Sequence, residues 1–207
     1  MRFLMVLIAL VCFRDCFSQK SKNDPINEVK IGFGNFYPLK NQFRNPLENL
    51  NSTLNKPIHF VSLSAGHLNR TEGGFTYFLN QVKYTPDKTK TNWSAINFHV
   101  IYKKDLTPSN EYFNVLVGLG GIIGEQFVIV KTDETKVFRN FNATLMPQLE
   151  VRINPTKRVA IGFTSNFLYD ITKSKWRSFA SKQYVINYTK FSGTTAGINV
   201  IWNYRYR

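Results

Sequence analysis

Apolar and polar residues alternate along this chain with a period of two, in runs of about ten residues, the period of extended strands rather than helices. The run "ATLMPQLEVRI" at 143–153 shows it most clearly. Ala143, Leu145, Pro147, Leu149 and Val151 stand on one parity, and Thr144, Met146, Gln148, Glu150 and Arg152 on the other. Seven further runs follow the same rule. At 28–36, Val29, Ile31 and Phe33 oppose Lys30, Gly32 and Gly34; at 58–67, Val61, Leu63 and Ala65 oppose Phe60, Ser62 and Ser64. At 73–83, Phe75, Tyr77 and Leu79 oppose Gly74, Thr76 and Asn80, with Phe78 blurring the second face. At 93–103, Ile96, Phe98, Val100 and Tyr102 oppose Asn97 and His99; at 112–124, Phe113, Val115, Val117 and Leu119 oppose Asn114, Gly118 and Gly120. At 158–169, Val159, Ile161, Phe163 and Phe167 oppose Ala160, Gly162, Thr164 and Asn166. The last, 191–206, sets Ala196, Ile198, Val200, Trp202 and Tyr204 against Thr195, Gly197, Asn199 and Asn203.

The links between these runs alternate in length. Those at 68–72, 104–111 and 154–157 are short, two carrying the proline turns "TPSN" and "NPTK", while those at 37–56, 84–92, 125–139 and 170–190 are long and polar. An even number of strands joined alternately by short and long links is the rhythm of a membrane-spanning sheet with short periplasmic turns and long extracellular loops. An open sheet in hydrocarbon would leave its edge amides unpaired, so the sheet must close. The expected fold is therefore all-β: a closed antiparallel up-and-down transmembrane β-barrel of eight strands. Facing Arg152 inward and Leu149 to lipid is the favourable orientation, because a basic residue on the lipid face near the midplane costs ~2–4 kcal/mol. The alternative is a secreted, soluble lipocalin-like barrel with its apolar face inward around a ligand. Its outer face would be rich in Lys and Glu, whereas the polar parity here is mostly Gly, Asn, Ser and Thr. Pro147 removes a ladder hydrogen bond, which predicts a bulge or bend near a membrane rim.

The first residues read as an export signal: Arg2, an apolar core at 3–13, and Cys16-Phe17-Ser18 before Gln19. Residues 1–18 are then a cleaved signal peptide and 19–207 one barrel domain, exported to a bacterial outer membrane. Both cysteines fall in the leader, which excludes a disulfide framework from the mature chain. No later run is long and apolar enough for a spanning helix.

These features resemble the small outer-membrane β-barrels common in Bacteroidota: a leader whose cleavage leaves Gln first, eight alternating runs, the Gly-rich "VGLGGIIGEQF" and the closing "GTTAGINVIWNY". The resemblance covers nearly all of the mature chain. Within it, strands five to eight resemble the conjugal-transfer TraO group. It implies a barrel that is a structural element or an accessory subunit of an envelope complex, such as conjugation, secretion or assembly machinery.

The formal net charge of +14 suggests anionic partners, and export excludes nucleic acid among them. The charge gathers in the links: Lys40, Arg44, Lys88, Lys90, Lys136, Arg139, Lys173, Lys175 and Arg177 form a basic extracellular crown suited to outer-membrane lipids and lipopolysaccharide phosphates. A polar lumen network is expected from Lys30, Asn97, His99, Gln148, Glu150 and Arg152, and an aromatic girdle from Tyr102, Tyr169, Trp202 and Tyr204. The three histidines, His59, His67 and His99, offer no metal-ligand spacing, and no cofactor is expected. Some barrels of this size modify lipid A as acyltransferases or deacylases. His59 with Ser62 is the sole candidate for that chemistry, but the two stand on opposite strand faces, so a non-enzymatic barrel is the expectation.

Overall fold

A computed structural model describes residues 27–39, 57–68, 70–83, 90–108, 110–131, 135–172, 174–181, 184–188 and 190–204. The leader reading and the Lys40, Arg44, Lys88 and Lys173 assignments lie outside these residues. The described chain holds ten strands: β1 Asn27–Pro38, β2 Ile58–His67, β3 Thr71–Lys83, β4 Lys90–Asp105, β5 Phe113–Lys131, β6 Thr135–Ile153, β7 Val159–Asp170, β8 Lys175–Ser178, β9 Tyr184–Tyr188 and β10 Gly193–Tyr204. Eight of them close a ring: β1 to β7 pair in sequence, β7 pairs with β10, and β10 pairs with β1. Every pairing is antiparallel. The hairpin β8–β9 stands outside the ring and joins β6 above β7.

The register fixes the barrel's dimensions. Starting at Glu125 and stepping across paired residues, the path runs through Ile96, Tyr77, Val61, Phe33, Ile198, Phe163 and Val151. It returns to β5 at Val115, ten residues below its start. With eight strands spaced ~4.8 Å apart and a rise of ~3.3 Å, that shear sets a tilt of about 41° and a radius of about 8 Å. Side chains fill an interior of that width.

Along each strand the expected apolar face points outward. Ile31, Phe33, Leu63, Phe75, Ile96, Leu119, Leu149, Phe163 and Val200 are 47–65% exposed, an arrangement opposite to that of a lipocalin-like barrel. On β7 this face runs from Val159 to Tyr169, which at the barrel's tilt is about 25 Å of height, the apolar band of a membrane barrel.

Three expectations need correction. The link at 125–139 is not a loop: β5 and β6 are 19-residue strands joined through 132–134, and they rise about 15 Å beyond Glu125. Here both parities are apolar or half-buried, because Val128, Val130 and Phe138 pack inward while Phe127, Ile129 and Val137 lie on the other face, so alternation is lost from the sequence. The link at 170–190 likewise carries β8 and β9. Pro147 interrupts the β6–β7 ladder between Leu145 and Gln148 as its missing N–H requires, but the register is unchanged on either side, so no bulge forms; it points outward about 5 Å inside the band's outer edge.

Candidate functional site

Six charged side chains meet inside the end of the barrel that carries the short turns. β1 contributes Glu28 and Lys30, β3 Glu72, β4 Lys103, and β6 Glu150 and Arg152, all buried. Arg152 holds Glu28 through both terminal nitrogens, Nη1 to Oε2 at 2.5 Å and Nη2 to Oε1 at 3.1 Å, and its Nε donates to Glu150 Oε1 at 2.6 Å. Lys30 Nζ reaches Glu72 Oε2 at 2.7 Å and Glu150 Oε2 at 2.8 Å. Lys103 Nζ lies 2.5 Å from both Glu28 Oε1 and Glu72 Oε2. Three acids and three bases cancel, so the network is neutral. Each group has several partners, as buried charge requires. Ser64 Oγ donates to Glu72 Oε1 at 2.8 Å, and His99 Nε2 stands 3.8 Å from that oxygen.

The structure thus brings together Lys30, Glu150 and Arg152 and sets His99 at their border. Asn97 and Gln148 also face inward, but neither joins the ion pairs. Sequence reasoning missed Glu28, Glu72 and Lys103, which lay at the margins of the runs as drawn or in a turn. Their parity was the available signal: Glu28 shares it with Lys30, Glu72 with Gly74, and Lys103 with His99.

Above the network lies a cavity of about 50 Å³ lined by polar groups including Ser64, Thr76, His99, Gln148, Asn166 and Asn199. It has room for a few waters. The outer half of the interior is only partly the expected polar lumen: Asn97, Gln126, Asn140, Asn142 and Thr144 are buried on the β4–β6 side, and aromatic rings fill the rest. Phe36, Phe78, Trp93 and Phe191 interlock there, with Phe78 edge-on to Phe36 and Phe191 and Trp93 stacked on Phe191 at 6.0 Å. Trp176 of β8 is fully buried in the same cluster. Phe60 lies below, over a pair of facing glycines: a Cβ on Gly197 would stand 2.9 Å from its ring.

On the outer side, the basic residues expected in loops stand on strands. Lys90 opens β4, Lys136 and Arg139 belong to β6, and Lys175 and Arg177 to β8. Of the expected girdle, Trp202 is outward at the lower edge of the band and Tyr169 at the upper. Tyr102 is outward but lies roughly 8 Å inside the lower edge, since β4 continues to Asp105. Tyr204 is half-buried. His59 is exposed on the outer face, its Nδ1 2.7 Å from Asn35 Oδ1, while Ser62 lies on the inward parity.

No family profile and no curated protein sequence matches the chain. Solved structures do. A major outer membrane protein from Thermus thermophilus aligns with a TM-score of 0.52 at 6% identity, over 86% of this chain and 99% of that one. Ail of Yersinia pestis, in complex with the heparin analogue sucrose octasulfate, aligns with a TM-score of 0.49 at 10% identity, over 88% and 99%. Neisserial surface protein A aligns with a TM-score of 0.48 at 13% identity, over 86% and 96%. At such identities the likeness concerns the fold alone. Ring closure, the outward apolar band and the match to the Thermus protein make this chain an eight-stranded barrel of the outer-membrane type.

Proposed function

We propose that the protein is a non-enzymatic barrel of a bacterial outer membrane, exported by cleavage of residues 1–18, that serves as a structural element or accessory subunit of an envelope complex. Conjugation, secretion and assembly machinery are the complexes in view, the first through the resemblance of the last four barrel strands to the TraO group. One observation carries the reading: the interior is filled at both ends, by the ion network below and the aromatic cluster above. A filled barrel offers no path through itself, and what it presents is its outer wall, built by β5, β6, β8 and β9. His59 and Ser62 on opposite faces are too poorly placed for an activated nucleophile, which needs hydrogen-bond reach.

The test is affinity purification of the tagged protein from its own cells in mild detergent. A defined envelope protein should co-purify in constant ratio and be lost when residues 174–188 are replaced by a short Gly-Ser linker. A barrel that purifies alone, together with lipid A whose acyl pattern changes on His59→Ala, would replace this reading with the lipid-modifying enzyme.

A further inference from the structure

On the wall centred on β1, which lies across the ring from β5, one row of outward residues breaks the apolar pattern. His59 of β2 is in register with Asn35 of β1, Asn35 with Ala196 of β10, and Ala196 with Ser165 of β7. Two residues lower on the same strands stand Val61, Phe33, Ile198 and Phe163, all 47–55% exposed. Ser165 is four residues below Tyr169, about 10 Å inside the band's outer edge, and each step toward β2 rises about 3 Å. Asn35 therefore lies about 4 Å inside the edge, and His59 at it.

The two polar side chains are bonded to each other, His59 Nδ1 with Asn35 Oδ1 at 2.7 Å, and neither has another partner among the described residues. In a neutral imidazole one nitrogen carries the proton and the other accepts. When Nδ1 donates to Asn35 Oδ1, Nε2 is left as an acceptor and Asn35 Nδ2 as a donor. With the amide turned over, Nδ2 donates to Nδ1, and the unused groups become Nε2–H and Oδ1. Either assignment leaves an unused donor and an unused acceptor side by side on adjacent strands. Hydrocarbon satisfies neither, and a polar group unpaired there is costly.

Such a pair is complementary to itself. A two-fold axis along the membrane normal, passing between His59 and Asn35, brings two walls face to face with His59 of each copy opposite Asn35 of the other. The unused donor on one copy then meets the unused acceptor on the other, twice. The same rotation sets Leu79, the partner of His59 on β3 and 51% exposed, against Ala196, whose small side chain lets the walls approach. About 8 Å lower, Phe33 lies beneath His59 and Ile198 beneath Asn35, so these two meet across the axis in the same way. The wall of β5 and β6 stays free on the far side of each barrel.

We propose that two copies of this chain pair within the membrane through the β1 wall, His59 of each copy hydrogen-bonded to Asn35 of the other. The proposal rests on the outer-membrane placement given above and adds the assembly that this wall supports there.

The experiment is sedimentation equilibrium of the full chain in density-matched nonionic detergent over a range of protein-to-detergent ratios. Wild type should show a monomer–dimer equilibrium. Asn35→Leu and His59→Leu should each weaken it about tenfold or more, since either change removes both contacts across the axis. Both place an apolar side chain against lipid, which the barrel tolerates. An equimolar mixture of these two variants should associate severalfold more tightly than either alone, because only the mixed dimer recovers one His59–Asn35 contact. Ala196→Trp, which leaves the polar pair intact, should weaken association about tenfold by holding the walls apart, and Leu119→Ala on β5 should leave it within about twofold. Heat-modifiable gel migration verifies that each variant is a folded barrel; if Ala196→Trp does not fold, the mixture carries the decision. A wild-type chain that is monomeric at every ratio overturns the proposal, as does a mixture no tighter than its components or a loss in Leu119→Ala as large as in Asn35→Leu. If those monomers retain a glycolipid that Asn35→Leu releases, the polar pair serves a lipid and the second copy is excluded. Failure of outer-membrane placement reads out separately, as absence of the wild-type protein from the outer-membrane fraction.

Discussion

Arg152 concentrates the energetics of the lower interior in one side chain. Its three nitrogens bind Glu28 and Glu150, and both carboxylates are buried without access to water. Removing one partner of a buried pair typically costs about 3–5 kcal/mol, because the remaining charge stays desolvated. Arg152→Leu should therefore lower the unfolding free energy in detergent by that amount, read as a shift of the urea midpoint. Arg152→Lys, which retains charge but not the fork, should lose less. Gly162 makes room for this arrangement: a Cβ there would stand 3.0 Å from Glu150 Oε1 and 3.1 Å from Ile201 Cδ1. Gly162→Val should destabilise the barrel by about 1–3 kcal/mol through overpacking, in the same measurement. Half of the network was legible from parity, since Lys30, Glu150 and Arg152 sit well inside alternating runs. Glu28, Glu72 and Lys103 were obscured because a strand end and a turn look alike in sequence, and only pairing with a neighbour shows where the ladder stops.

At the level of elements, β8 shows what local pattern can and cannot convey. Its four residues, "KWRS", are too few to display a period, so the link 170–190 reads as a polar loop. In the fold, pairing with β6 turns Trp176 into the aromatic cluster, and Phe179 N donates to Val137 O to extend the ladder. The hairpin is thereby anchored by a large buried ring as well as by its ladder to β6. Trp176→Ala should cost about 3–5 kcal/mol of local stability. The expected outcome is rapid protease cleavage between 170 and 190 while the barrel still migrates as a folded, heat-modifiable species; unchanged protection would show that the strand pairing holds the hairpin without the ring. β5 and β6 escaped recognition for a different reason. Beyond Glu125 the strands leave the membrane band, and the rule that opposed a greasy exterior to a polar interior no longer governs either face.

Across the whole molecule, strand number, closure and the orientation of the two faces were readable because lipid imposes one solvent on every outward side chain. The interior follows no such rule. Its contents change along the axis, from charge through a small polar cavity to packed rings flanked by the buried amides of Asn97, Gln126, Asn140 and Asn142, and Phe78, which blurred an otherwise polar face, was the trace of the rings in sequence. The two fillings act in series on anything that would cross. An ion entering from outside meets the packed rings of Phe36, Phe78, Trp93 and Phe191, which occlude the lumen sterically. Beyond them stands a neutral network whose every charge is already paired, so displacing a member leaves its partner buried and uncompensated. A barrier in series opens only when both parts fail. The wild-type barrel in a planar lipid bilayer should thus show no ohmic steps, and Phe78→Ala or Phe191→Ala should remain silent because the lower network persists. Glu72→Gln alone should also remain silent, since the aromatic cluster still seals the outer end. Combining Phe78→Ala with Glu72→Gln should produce conductance; steps in the wild-type protein, or in any single variant, would show that the axis is not sealed twice.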